Sequence, residues 1–319
     1  MRIGIRADGG KGVGLGHLSR CMALAEAFGY YGAEPVFLDV APECRSWVRQ
    51  RGWRLARGKE ARWDLIVADS YRFTLPQMRG MRRSARSVLA FDDSGGFRGP
   101  CDWILNSHVY AHSLTYPHAA GKGLLLGPRF HPMRRAFWGD PKTRGAASRI
   151  RQVVVALGGG AFDSFLEAIV AATTRALPGR DIHVLKGPLS PGPRLPAGLS
   201  VTLHDSPREV RPVLERGDVA ISAGGQTLYE LVRLGIPTIA LSLVENQASN
   251  VAGMVGLGAA ISVPAPQVPG FAASLGRVLR KLDRRPRQRD EMSQRQRALI
   301  DGRGALRVAR LLMTCPGSR

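Results

Sequence analysis

The sequence has no apolar run approaching the roughly 20 residues that cross a bilayer, and no C-x-x-C pair among Cys21, Cys44, Cys101 and Cys315. The first absence excludes a helical membrane span. The second argues against a zinc site and a disulfide framework, leaving buried thiols in a reducing compartment as the plain reading. Asp8 and Lys11 interrupt what would be the apolar core of a secretory signal, so the expected compartment is the cytoplasm. Acidic residues are scarce: 25 Asp and Glu stand against 46 Lys and Arg, a formal net charge of +21. So basic a chain raises nucleic acid as a partner. However, the arginines are spread along the chain, densest over residues 277–297, and no helix-turn-helix, zinc finger or aromatic-interleaved basic strand accompanies them. Nucleic acid is therefore not the expected partner.

What is present is a repeated α/β pattern. A chain of 319 residues accommodates two domains of about 150 each. Residues 2–6 read as a short apolar strand, followed by a glycine-rich turn and a helix over 16–31, where Leu18, Cys21, Met22, Ala25 and Phe28 keep helical spacing. Further strands are expected at 35–38, 64–69, 87–91 and 103–106, several ending in carboxylates. Residues 139–147 are small and polar and read as a linker. The pattern then restarts with a strand at 152–157, the turn Gly158-Gly159-Gly160 and a helix over 163–177. Later strands are expected at 181–185, 200–203, 218–222, 237–241 and 259–263.

Strands alternating with helices indicate doubly wound parallel sheets. Two Rossmann-like α/β domains facing a cleft, the GT-B arrangement, are expected: residues 1–140 on the sugar and catalytic side, and 150–319 on the nucleotide side. The Arg-rich helices from Phe271 onward are expected to pack back on the first domain.

The loop from Asp8 to His17 joins the first strand to the first helix, and Gly14 and Gly16 let its backbone approach a ligand without Cβ clashes. Free N–H groups at the helix start suit a diphosphate. The loop is neither G-x-G-x-x-G nor a Walker A, because no glycine-Lys-Ser/Thr sequence occurs there. His17 lies in the first turn of that helix, where the dipole favours a neutral, proton-accepting ring. At this point it is either a base aimed at the cleft or a histidine that only packs the loop.

A second constellation, Ser222-Ala223-Gly224-Gly225-Gln226-Thr227-Leu228-Tyr229-Glu230, again joins a strand to a helix. Its glycines put N–H groups against a phosphate, and Glu230 is a candidate acceptor for ribose hydroxyls. Asn246 and Gln247 offer amides to a base or sugar, and Gly159 belongs to a third glycine turn. Asp69, Asp92 and Asp93 stand at strand ends, to hold a sugar or to orient His17; Asp92 and Asp93 are neighbours and point apart on a strand. His108, His112, His118, His131, His183 and His204 lack metal-ligand spacing and read as surface or core residues. No metal or cofactor is expected.

The run Gly14-Leu15-Gly16-His17-Leu18-Ser19-Arg20-Cys21-Met22-Ala23-Leu24-Ala25, with Phe91-Asp92-Asp93, Gly127-Pro128-Arg129-Phe130, the 222–230 motif and Asn246-Gln247, resembles the UDP-sugar hydrolases of pseudaminic acid biosynthesis (PseG-type). That family is related to the lipid-carrier glycosyltransferase MurG. The resemblance implies hydrolysis of UDP-2,4-diacetamido-2,4,6-trideoxy-β-L-altropyranose with inversion, and His17 as the base. Three stretches depart from the family. Its Asp-His-Tyr is Asp69-Ser70-Tyr71 here, its Asn-Gln-Asn is Asn106-Ser107-His108, and the Gly158–Gly160 turn carries an extra residue before Asp163. Asp69, Tyr71 and Asn106 fall near the implied sugar pocket, where they bear on which sugar fits. The competing readings are a glycosyltransferase on the same fold and a non-catalytic binder of nucleotide sugar or nucleic acid.

Overall fold

In a computed structural model, residues 1–10, 12–56, 62–143, 145–195 and 200–314 are described. Cys315 lies outside them. The chain divides into two compact units, 1–138 with 302–319, and 139–301.

The first unit contains β1 (Arg2–Ala7), α1 (Gly16–Tyr30), β2 (Glu34–Leu38), α2 (Pro42–Gln50), β3 (Arg54–Ala56), β4 (Trp63–Asp69), α3 (Leu75–Ser84), β5 (Ala85–Phe91), β6 (Trp103–Asn106) and β7 (Gly123–Leu126). All neighbouring strands pair in parallel, in the order β3-β2-β1-β4-β5-β6-β7. The central strands are apolar on both faces: Ile3, Ile5, Leu65, Ile66, Val67, Val88 and Leu89 are all at most 1% exposed. Such strands need helices over both faces of the sheet.

The second unit repeats the plan with β8 (Gln152–Ala156), α4 (Asp163–Ala176), β9 (Asp181–Lys186), β10 (Val201–Asp205), α5 (Arg211–Leu214), β11 (Val219–Ala223), α6 (Gln226–Leu234), β12 (Thr238–Leu241), α7 (Ala248–Gly256), β13 (Ile261–Ser262), α8 (Phe271–Asp283) and α9 (Pro286–Leu299). Its parallel sheet runs β10-β9-β8-β11-β12-β13. Leu166, Ile169 and Val170 of α4 and Leu275, Leu279 and Leu282 of α8 share one apolar core with β8 and β11.

The helices after Phe271 divide. α8 packs on α4 and α9 on α6, both within the second unit, whereas α10 (Gly304–Thr314) packs on α1 of the first. Only the last helix returns, because Ala305, Val308, Ala309 and Leu312 form a small apolar stripe that can lie close to α1. Six described elements were not anticipated from the sequence: β3, β7, α5 and α7, and the helices α2 and α3. The two helices have only two buried side chains each, so their periodic signal is thin.

In both sheets the strand order reverses beside the first strand of the unit, between β1 and β4 and between β8 and β11. Carboxyl ends of strands at such a reversal are where open α/β sheets place ligands. No described helix is long and apolar enough to cross a membrane.

Candidate active site

In the first unit the reversal point brings together residues from four strand ends. Gly10 and Gly14 exchange backbone hydrogen bonds (3.0 and 2.8 Å), closing the glycine loop into a small hairpin before α1. Gly14 takes φ 79°, the left-handed region in which a Cβ is strained. Leu15 at the helix start makes no side-chain cap, so the first N–H groups of α1 have no side-chain acceptor there.

His17 is 7% exposed and its Nδ1 lies 2.7 Å from Asp69 Oδ1. Burial alone would raise the Asp69 carboxyl. The Arg20 guanidinium, then His17, and the hydrogen bonds of both, overturn this and bring it down to about 2. An ionised carboxylate only accepts, so Nδ1 carries the proton and donates. The neutral ring is thereby the Nδ1–H tautomer, with Nε2 as its acceptor. Nε2 meets no hydrogen-bonding partner among the described residues.

Arg20, one turn after His17 on the same helix face, is 6% exposed and grips both carboxylates. Its Nε and Nη2 donate to Asp69 Oδ2 and Oδ1 at 2.6 and 2.7 Å, and its Nη1 to Asp93 Oδ1 at 3.1 Å. The Phe91 ring lies 4.2 Å beneath the guanidinium carbon. Burial opposes the Arg20 charge, but Asp69 and Asp93 outweigh it and push the guanidinium above its ordinary range. Cys21 Sγ, a thiol kept protonated by burial and by Asp69, donates to Asp69 Oδ2 at 3.6 Å. Asp69, fully buried, is thus surrounded by donors. Of the two roles open to it in the sequence, orienting His17 fits this geometry and holding a sugar does not.

Asp93 organises the other half. It accepts from Tyr71 OH at 2.6 Å and lies 3.2 Å from His108 Nε2. Burial pulls its carboxyl upward, but Arg20 and then His108 hold it well below the carboxylate range. The Tyr71 ring stands edge-on to His17 at 4.7 Å and is 60% exposed, the accessible member of the group. His108 stacks on Tyr110, whose hydroxyl donates to the Asp93 carbonyl at 3.1 Å.

Asp92 and Asp93 do point apart. Asp92 folds the following turn, accepting from the N–H groups of Ser94, Gly95 and Phe97 at 2.9 to 3.1 Å. Asn106, expected to line the sugar, is fully buried; its amide donates to Tyr116 OH at 3.0 Å and accepts from His108 N at 3.2 Å. It shapes the His108 loop. Burial raises the Tyr116 hydroxyl to about 12. Arg20 and His108 were not assigned from the sequence; the signal for Arg20 was its i+3 spacing from His17.

In the second unit, Gly158 (φ 91°) lies in the turn after β8, and a Cβ there would stand 3.9 Å from Thr227 Oγ1 in the first turn of α6. The Gly159 turn and the start of α6 are therefore adjacent. Gly225 precedes α6 and gives it no side-chain cap, and the positive end of the helix dipole faces this turn. Gly224 is tightly enclosed: a Cβ would meet Val251 at 2.7 Å and the Gln247 carbonyl at 3.0 Å. Gln247 Oε1 accepts from Leu243 N at 3.0 Å and shapes its own loop, whereas Asn246 is exposed. Ser222 Oγ donates to the Ala156 carbonyl at 2.9 Å, so its hydroxyl ties β11 to β8 instead of facing a ligand. Gln226 is half-buried and Glu230 is 2% exposed on the inward face of α6. Among the described residues no group of three or more His, Cys, Asp or Glu could hold a metal ion.

No family model matches the sequence. The spore coat polysaccharide biosynthesis protein SpsG of Bacillus subtilis (strain 168) is 24% identical over 343 aligned positions, covering 98% of both chains. A Helicobacter pylori (strain ATCC 700392 / 26695) protein, the pseudaminic acid cytidylyltransferase and UDP-2,4-diacetamido-2,4,6-trideoxy-beta-L-altropyranose hydrolase, is 24% identical over 240 positions, covering 73% of this chain and 43% of that one. Among solved structures, Acinetobacter baumannii MurG superposes with a TM-score of 0.67 at 14% identity, covering 98% of this chain and 99% of its own. The spinosyn rhamnosyltransferase SpnG complexed with thymidine diphosphate gives 0.60 at 18% identity, covering 98% and 99%. The chain thus has the two-domain GT-B fold of these glycosyltransferases and is related in sequence to proteins of spore coat polysaccharide and pseudaminic acid biosynthesis.

Proposed function

We propose that the protein hydrolyses a UDP-linked deoxy-acetamido sugar to UDP and the free sugar, with inversion, as a cytoplasmic step in nonulosonic acid or related polysaccharide biosynthesis. The observation that carries this reading is the His17–Asp69 pair, with its bare Nε2, at the strand reversal of the first unit. In the proposed reaction a water oxygen attacks the anomeric carbon while Nε2 takes its proton. The bond from that carbon to the diphosphate oxygen breaks, and its electron pair leaves on UDP. A diphosphate needs charge support more than a proton, and the uncapped start of α6 with the Gly159 turn is suited to give it. Tyr71 is the group proposed to meet the sugar, and Glu230, Asn246 and Gln226 are proposed for the nucleoside. The hydrolase activity named for the Helicobacter pylori relative supports the same assignment.

A second reading, transfer of the sugar to an acceptor hydroxyl, is favoured by the rhamnosyltransferase among the fold neighbours. Incubation with UDP-diacetamido-trideoxy-hexoses and no acceptor separates the two. Hydrolysis predicts stoichiometric UDP and free sugar of inverted configuration. UDP release only after an acceptor is added would replace it with transfer.

A further inference from the structure

We propose that Arg20 is the positioning residue of this site: it ties the carboxylates of Asp69 and Asp93 into one unit, which fixes the tautomer of His17 and holds Tyr71 against its edge. Three observations meet here. The guanidinium uses its fork on Asp69, with bonds of 2.6 and 2.7 Å, and turns its remaining edge to Asp93 at 3.0 to 3.1 Å. Each carboxylate in turn holds one ring at the putting-together of the site, Asp69 the imidazole at 2.7 Å and Asp93 the phenol at 2.6 Å. The two rings then meet at 4.7 Å. The ladder between the neighbouring strands β4 and β5 brings the two strand ends side by side, and the guanidinium joins the two carboxylates across them.

The charges give Arg20 a second consequence. Around His17 stand Arg20 and Cys21 from α1, Asp69 and Tyr71 from the end of β4, Asp93 beyond β5, and His108 beyond β6 on Asp93. With Arg20 present, one of the two buried carboxylate charges is balanced. Without it, Asp69 would lose its fork partner and hold the imidazole alone. Lysine has one charge but no planar fork, and it cannot bridge both carboxylates in the same way.

The activity arm of the test rests on the hydrolytic reading; the spectroscopic arm does not. Nitrogen-15 NMR of histidine-labelled wild-type protein should show neutral His17 protonated at Nδ1 and bare at Nε2; the Nε2–H tautomer would overturn the proposal whatever the substrate. In Arg20→Gln, kcat should fall about tenfold or more, and Nδ1–H selectivity should fall. Arg20→Lys should likewise lower kcat about tenfold or more, with UDP binding unchanged. A folded Arg20→Gln protein with wild-type kcat and an intact Nδ1–H tautomer refutes the role. Should Arg20→Gln not fold, the paired Arg20→Gln, Asp93→Asn protein removes one charge of each sign; retention of full kcat there refutes it equally.

Discussion

A histidine has two ring nitrogens, and Asp69 decides which of them His17 can offer. The carboxylate can only accept, so the proton stays on Nδ1. Replacing it by an amide removes that constraint: Asp69→Asn is expected to lower kcat about 10²-fold or more, with UDP affinity little changed, as measured by steady-state kinetics and calorimetry. Unaltered kcat would detach Asp69 from the chemistry. The same carboxyl links the site to folding. Its folded value of about 2 lies below the ordinary carboxylate value of about 4, so its stabilising contribution is complete above about pH 4 and is lost as pH falls through about 2. The unfolding free energy, followed by circular dichroism, should therefore fall less steeply between about pH 4 and 2 in Asp69→Asn than in wild type, because the amide has no proton to gain. His17, Asp69 and Asp93 were legible in the sequence because a glycine loop and apolar runs ending in acids mark strand ends. The function of Arg20 was not, since its partners lie 49 and 73 positions away. Nor was that of His108, which depends on a loop folded by Asn106.

At the scale of the element, the turn from β11 into α6 is the second determinant. Gly224 is enclosed by Val251 and by the Gln247 backbone, which cannot move aside as a flexible side chain could. Gly224→Ala is expected to cost about 1–3 kcal/mol in urea unfolding and to weaken UDP binding by shifting the start of α6. Stability and affinity both equal to wild type would show that the turn tolerates displacement. The glycine-to-helix junctions were readable because Gly-Gly after an apolar strand has few other uses. The edge elements β3 and β7 were not: three and four residues long and half-exposed, they lack the apolar run that marked β4 and β5. Ser222 shows the limit of motif reading, because position in a motif does not say which face of the strand a hydroxyl takes.

For the whole molecule, the sequence pattern carried the fold class, two parallel α/β sheets, because alternation of apolar strands and helices survives without any knowledge of contacts. Where the tail packs could not be read, since α8, α9 and α10 are all arginine-rich and only buried stripes distinguish them. α10 completes the first unit by covering α1. Ending the chain at residue 301 exposes that apolar face, and is expected to lower the melting temperature by several degrees, about 2–4 °C for each kcal/mol lost, with UDP affinity retained if the nucleotide is held by the second unit. The net charge of +21 adds a salt dependence: association with an anionic UDP-sugar should weaken as ionic strength rises.

The most direct test of the whole account compares wild type with His17→Asn on one UDP-diacetamido sugar, without acceptor, recording UDP release and UDP binding together. The account predicts a fall in hydrolysis of about 10²-fold or more with nucleotide affinity intact. Equal hydrolysis by the two proteins would contradict it.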